Sequence, residues 1–411
     1  MGVIALTLAL AYGIWYSYSV ILVALLAEFG WSRSVLAGAF SVFTLVHGGV
    51  NPLIGALCAR FRPLRVIAVG GAAMGATLFL DSFISSPLGL YLAFGVATAI
   101  AVALAGWVPS LVFVQRNFQE RLGLSVGIIS SGVGVGMLLI VPLTQLLIDA
   151  FGWRVAFQVL GLIAVVWIVP SSLWLRHLML SQIPENRGQT PARNRGQTPT
   201  GRSGSDPTLR QAMRTEPFWL LMAMFFFGNV ASQTLHVHQV AYLVDQGLAA
   251  IAAASVVGVV GLASIVGKTG GGWLSDRVER EVVYVAGIAI LVASAFVLLS
   301  LKTGSSAWAA YGYAVLLGIG YSVTAAITPV IVSDRFSGPH FGAIVGVGLM
   351  GTAAGSAIGP WMAGRLYDLT ASYAIPFMIA AACGALAGAA AWRARTLRKI
   401  GVRALKSADA G

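Results

Sequence analysis

Long apolar stretches alternate with short polar turns along this chain, from one end to the other. Twelve stretches of 18 or more predominantly apolar residues can be marked, roughly at 3–27, 34–58, 64–86, 88–114, 122–148, 153–175, 217–243, 248–274, 282–301, 306–332, 341–364 and 373–392. Each is long enough to cross a hydrocarbon core of ~30 Å. In lipid every backbone N–H and C=O must be satisfied inside its own segment, so each stretch predicts a helix. The pattern therefore predicts an all-α membrane protein with twelve transmembrane helices.

Composition agrees. Of 411 residues, 58% are hydrophobic and 10% charged, with mean hydropathy +0.85. Soluble domains carry about 25% charged residues, so a soluble globular fold is excluded. The 49 glycines suit helices that approach closely where lipid gives no hydrophobic drive between them. Cys58 and Cys383 lie at or within apolar segments and suggest no disulfide framework.

The net charge of +12 reports topology. With the N-terminus placed in the cytoplasm, 21 Lys and Arg fall on the cytoplasmic side and four, Arg33, Arg154, Lys302 and Arg365, on the other. Acidic residues divide nine to five, with no comparable bias. This positive-inside pattern predicts a multi-pass protein of the cell (inner) membrane with both termini cytoplasmic, and no nucleic-acid partner.

Met1 is followed at once by apolar sequence without a charged n-region, and that first segment is too long for a signal-peptide core, so it reads as a retained helix. The one long polar interruption runs from Arg176 to Glu216 and holds Asn-Arg-Gly-Gln-Thr-Pro twice, at 186–191 and 194–199. It has too little apolar surface to offset the entropy of ordering. Four units are expected: an N-terminal six-helix bundle over 1–178, a flexible cytoplasmic linker over 179–215, a C-terminal six-helix bundle over 216–395, and a basic cytoplasmic tail over 396–411. Within the linker, Thr208 to Arg214 suits a short amphipathic helix on the membrane surface.

The two bundles repeat one another. Arg116 and Arg335, Gly123 and Gly342, Gly127 and Gly346, and Asp149 and Asp368 are each 219 positions apart. Gly55 and Gly272 are 217 apart, and each opens a turn that ends in Arg, at Arg60 and Arg277. A near-constant offset is the mark of internal duplication. Two parallel six-helix repeats with a site between them at the midplane are an architecture of secondary transporters.

Together the twelve spans, the central loop and the turn Gly272-Trp273-Leu274-Ser275-Asp276-Arg277 resemble the major facilitator superfamily, over nearly the whole chain outside 180–207. Within it the chain is similar to the bacterial monocarboxylate/oxalate–formate branch. The shared phrases are Glu28-Phe29-Gly30-Trp31-Ser32-Arg33, Gly152-Trp153-Arg154, Pro217-Phe218-Trp219, Gly359-Pro360 and Tyr367-Asp368. The resemblance implies two pseudo-symmetric six-helix bundles. It also implies a cytoplasmic gate in which Gly55 and Gly272 permit close packing, while Arg60, Asp276 and Arg277 latch neighbouring helices. Ala59 stands where the family has the Asp in the first turn, so the stronger latch is expected in the second. A cation four positions before the turn Gly is expected in this branch, and Lys268 holds that place. The resemblance makes it a counter-charge for a substrate carboxylate.

Lys268 is also the only Lys, Arg, Asp or Glu well inside an apolar segment, where a charge costs several kcal/mol unless it is used. Two readings stay open: a ligand contact, or a Lys snorkelling to the interface. Its partner at the repeat offset, Asn51, is uncharged. Ser264, Tyr16, Trp107, Tyr321 and His236 complete the candidate substrate site, each weighed against simple packing; Tyr12, Ser19, Ser110, Thr324 and Gln233 are placed similarly. His47, near the middle of its span, is the candidate proton-coupling group, against a packing role. His236 and His238 lack Cys, Asp or Glu at metal-ligand spacing, so no metal is expected, and no other cofactor. Asp81, Asp149, Asp245 and Asp368 fall near span ends, which favours an anionic substrate able to bring its own proton over a cationic one.

Nothing here supplies a nucleophile with its base, a metal cluster or a phosphate-cradling loop, so an enzyme is not indicated. The function expected is secondary active transport of a small, monocarboxylate-like organic anion by alternating access, coupled to a proton or other ion. A monomer is expected. Efflux of drugs or other small hydrophobic compounds on the same fold is the alternative.

Overall fold

The computed structural model describes residues 1–118, 122–181, 208–336 and 341–408. Those residues are almost wholly helical, and among them no strand occurs. The long helices are α1 (Gly2–Phe29), α2 (Arg33–Arg60), α3 (Pro63–Asp81), α7 (Leu122–Ser181), α9 (Glu216–Asp245), α10 (Ala250–Ser275), α11 (Arg280–Ser300), α12 (Ala307–Arg335), α13 (Phe341–Thr370) and α14 (Ala374–Ala408). Between α3 and α7 come α4 (Pro87–Leu90), a π-helical stretch (Tyr91–Thr98), α5 (Ala99–Ala105) and α6 (Trp107–Asn117); α8 (Leu209–Ala212) precedes α9.

Among the described residues ten helices are long and apolar enough to cross a membrane. One of them covers two of the expected spans. The 60 residues of α7 would extend ~90 Å as one rod, about three times the core of a bilayer. They meet instead at Gly152, whose φ of 81° and ψ of 163° belong to no helix. A side chain there would be strained, which is why Gly fills the position.

The span expected at 88–114 is broken rather than continuous. Gly106 leaves helical geometry between α5 and α6. Three residues later Pro109 has no N–H to return to the Ala105 carbonyl, so the regular ladder cannot cross this point. At the other end of the chain, the stretch read as a basic tail from 396 continues α14 as helix to Ala408. The linker expected over 179–215 lies outside the described residues between 182 and 207. Its last part does form a short helix, α8, closed by a capping box between Thr208 and Gln211.

Two apolar clusters hold the molecule together. One draws on α1 to α7 and the other mainly on α9 to α14. They interlock at the seam: Val237 and Ala241 of α9 join the first, while Val20 of α1 and Met137 and Val141 of α7 join the second. Three helix pairs, α1 with α9, α2 with α13 and α7 with α10, carry contact between the two parts of the chain.

Candidate functional site

At the α7–α10 crossing the two backbones approach closely. A Cβ added to Gly261 would lie 2.4 Å from the Gly134 carbonyl oxygen, and one added to Gly134 would lie 2.5 Å from that of Gly261. Only glycine at both positions lets the backbones touch. Ser264, 1% exposed, lies beside this crossing and donates to the Gly261 carbonyl in its own helix. One turn further along the same face comes Lys268. Its Nζ reaches across the seam to the Ser130 carbonyl of α7 at 3.4 Å. Together Gly127, Ile128, Ser130 and Ser131 of α7 and Ile265, Lys268 and Thr269 of α10 line a cavity of ≈ 420 Å³.

Deeper in the seam three sequence-predicted residues come together. The His236 ring of α9 lies 5.3 Å from Tyr16 of α1 and 4.7 Å from Tyr321 of α12, centroid to centroid. Its Nδ1 is bonded within its own helix at the Ser232 carbonyl, 2.8 Å away, while Nε2 has no protein partner among the described residues. The Gln233 Oε1 is buried and unpartnered likewise. Such atoms are uncommon in folded proteins and call for a ligand or water. None of Tyr16, Tyr321 and His236 lines the Lys268 cavity. Trp107 opens α6, half-buried against the first apolar cluster.

His47 lies among Tyr12, Trp15 and Phe43, with the Trp15 ring centroid 4.8 Å away, and its Nε2 has no partner among the described residues. Asp81 departs from what its place at a span end suggests. It is 0% exposed, with Oδ2 accepting from the Thr98 hydroxyl at 2.8 Å and Oδ1 unpartnered. The π-helical stretch that ends at Thr98 turns that hydroxyl inward onto it.

The predicted gate residues are not closed on one another. A Cβ on Gly55 or Gly272 would meet open space, so neither glycine makes the close packing expected of it in this conformation. Arg277 lies over the Trp273 ring at 3.9 Å and donates to the Trp273 carbonyl at 3.0 Å, while Arg60 lies near Phe61. Asp276 is exposed. Beside this turn the charges are paired: Glu279 takes Arg395 at 2.6 Å and Lys399 at 2.9 Å, and Glu281 takes Arg398 at 3.1 Å. Hydrogen bonds from Arg395 and Lys399 hold the Glu279 carboxyl down at about 2.

At the opposite end of the bundle the two parts of the chain are clamped by residues that sequence reasoning counted only as topology charges or span ends. Arg33, at the start of α2, is 6% exposed. Its guanidinium meets the Asp245 carboxylate of α9 at 2.8 and 2.9 Å, donates to the Tyr373 hydroxyl at 2.6 Å and stacks 3.8 Å above the Tyr367 ring. Asp368 of α13 accepts from the backbone N–H groups of Arg33 and Ser34, both at 2.9 Å, and so serves the first turn of α2. Alongside, Glu28 takes Trp153 and Arg154 (2.5 Å), the two residues that follow the Gly152 break. One signal could have found this clamp. Part of it, Glu28, Arg33, Trp153, Arg154, Tyr367 and Asp368, falls in the shared phrases, whereas Asp245 and Tyr373 fall outside them.

A bundle of membrane-spanning helices, joined by a seam that is clamped at one end and open beside a cation at the other, defines a membrane transporter. The Major Facilitator Superfamily profile matches residues 4–315 and 240–409, and the chain belongs to that superfamily. It is 30% identical over 395 residues to monocarboxylate transporter 3 of Mus musculus, covering 94% of this chain and 77% of that one. To monocarboxylate transporter 13 of Bos taurus it is 28% identical over 378 residues, covering 91% and 83%. Among solved structures, a bacterial homologue of the human lysosomal transporter Spinster, in an inward-facing and unoccupied conformation, matches with a TM-score of 0.66 at 18% identity, covering 97% of both chains.

Proposed function

We propose that this protein moves a small organic anion, of the monocarboxylate kind, across the cytoplasmic membrane by alternating access, coupled to a proton. The observation that carries the reading is Lys268, a cation at the seam facing a cavity walled by both parts of the chain, with one long bond to a carbonyl as its protein contact. A carboxylate can replace that contact with a charge-assisted one. Ser264 lies one turn deeper, and the unpartnered His236 Nε2 and Gln233 Oε1 with Tyr16, Tyr321 and Trp107 offer further contacts as cargo moves inward. The monocarboxylate transporters among its relatives support the substrate class.

In this reading residues 1–178 and 216–395 are the two bundles that rock. The Arg60 and Arg277 turns face the cytoplasm, following the positive-inside pattern, and Arg33 marks the outer end. The structure then represents an inward-open state, in which Asp276 and Arg277 are the parts of an inner latch that engages when the inner end shuts. Uptake of labelled monocarboxylates into proteoliposomes tests the reading. Lys268→Ala is expected to lower uptake by about 10- to 100-fold, the equivalent of about 1.5–3 kcal/mol for a bond to a charged group, and Lys268→Arg to retain much of it. Full uptake by Lys268→Ala would remove Lys268 from the mechanism. Drug resistance without carboxylate uptake would favour efflux.

A further inference from the structure

Where the Arg33 clamp meets His238, hydrogen bonds run in one direction through four elements. Arg33 can only donate, so its Nη1 gives a hydrogen to the Tyr373 oxygen at 2.6 Å. The Pro360 carbonyl of α13 can only accept, so Nε2 of His238, 2.8 Å away, carries the hydrogen between them. In the neutral ring Nδ1 is then the acceptor, and the Tyr373 O–H, 3.0 Å away, is its donor. The partners at both ends thus fix the tautomer of a fully buried histidine.

We propose that His238 is a proton-binding site that unlocks the outer end: neutral, it holds the Arg33 clamp shut, and protonated, it releases it. The proton, from water, adds at Nδ1, the one free lone pair, and no bond between heavy atoms changes. Both ring nitrogens then donate. The Tyr373 hydroxyl loses its acceptor, and its oxygen faces two N–H donors, one on Arg33 and one on His238. Two cations now flank a single hydroxyl. The carboxylates that could offset the new charge are already engaged, Asp245 by the Arg33 guanidinium and Asp368 by the N–H groups that begin α2. Around this point the remaining titratable groups are Tyr367 of α13, packed on Arg33 and on Tyr373, Tyr242 of α9, edge-on to Tyr373, and Lys302, which lines the adjoining cavity. A route for the proton is present. A cavity of ≈ 430 Å³ lined by Asp245, Lys302, Tyr367 and Tyr373, among others, reaches the Tyr373 side of the chain.

This inference rests on the alternating-access reading, and the experiment separates the two. Spin labels on Leu88→Cys and Leu369→Cys, exposed residues on opposite sides of the seam, report the width of the outer end in nanodiscs without substrate, with Cys58 and Cys383 replaced by Ala. In the otherwise native protein the distance is expected to lengthen as pH falls. His238→Gln can donate to Pro360 and accept from Tyr373 without titrating, so it is expected to stay closed at every pH. Tyr373→Phe severs the link and is expected to flatten the pH dependence, which keeps the test intact if His238→Gln fails to fold. Opening of His238→Gln at an unchanged midpoint overturns the proposal, as does a pH dependence that survives unaltered in Tyr373→Phe. Those outcomes leave alternating access standing. A distance that never moves, with pH or with added monocarboxylate, removes both.

Discussion

Arg33 and Lys268 are both cations at the seam, and their surroundings treat them oppositely. Arg33 keeps 7% of its side chain exposed and divides its donors between a carboxylate and a phenol. Lys268 has one carbonyl at 3.4 Å. A fork with every prong engaged fixes structure, whereas a point charge with a single long bond is available to something else. Asp245→Asn is therefore expected to weaken the clamped end by about 1.5–3 kcal/mol, shifting its open population by about 10- to 100-fold in the same spin-label measurement. Lys268 was legible in the sequence because it interrupts an apolar run. Arg33 was not, because it lies at the start of its helix, where a cation has an ordinary topological reading. Its partners Asp245, Asp368 and Tyr373 come from segments that only the fold brings together.

At the scale of elements, the sequence showed that helices approach closely but not where. The 49 glycines promised tight seams, and the family resemblance pointed to Gly55 and Gly272. The structure puts open space beside those two and brings Gly134 and Gly261 into backbone contact instead. A glycine count cannot tell which face of a helix meets a neighbour. Gly261→Val is expected to force α7 and α10 apart and to cost about 1–3 kcal/mol of overpacking, read as a lower Tm in detergent. Gly272→Val, beside open space, should leave the Tm nearly unchanged. The break at Gly106 was hidden in the same way. Residues 88–114 read as one apolar run, and only the pairing of Gly106 with Pro109 marks the interruption.

The whole molecule has one clamped end and one loose end. The clamped end is held by specific, partly buried bonds across the seam, while the pairing at the other end joins neighbours within the second part of the chain. Those latter pairs are half-exposed and screened by salt. For Glu279 the sign follows from its lowered value. Its contribution is fully present above about 4.5, the ordinary value, and is lost as pH falls toward about 2. The Tm advantage of wild type over Glu279→Gln should thus narrow as pH is lowered through this window, and narrow as well in high salt. The helical spans were readable because lipid imposes a length rule on every segment. The clamp was not, because nothing local in the chain distinguishes a contact that spans 335 positions.

The clamp also sets an order of events during synthesis. Arg33 and Asp245 are 212 positions apart, which at the usual 5–20 residues per second is a delay of roughly 10–40 s. For that interval Arg33 has no carboxylate partner from α9. Arrival of α9 supplies its carboxylate, and α13 and α14 then supply Asp368 and Tyr373. A ribosome stalled before residue 245 leaves Arg33 without its carboxylate partner.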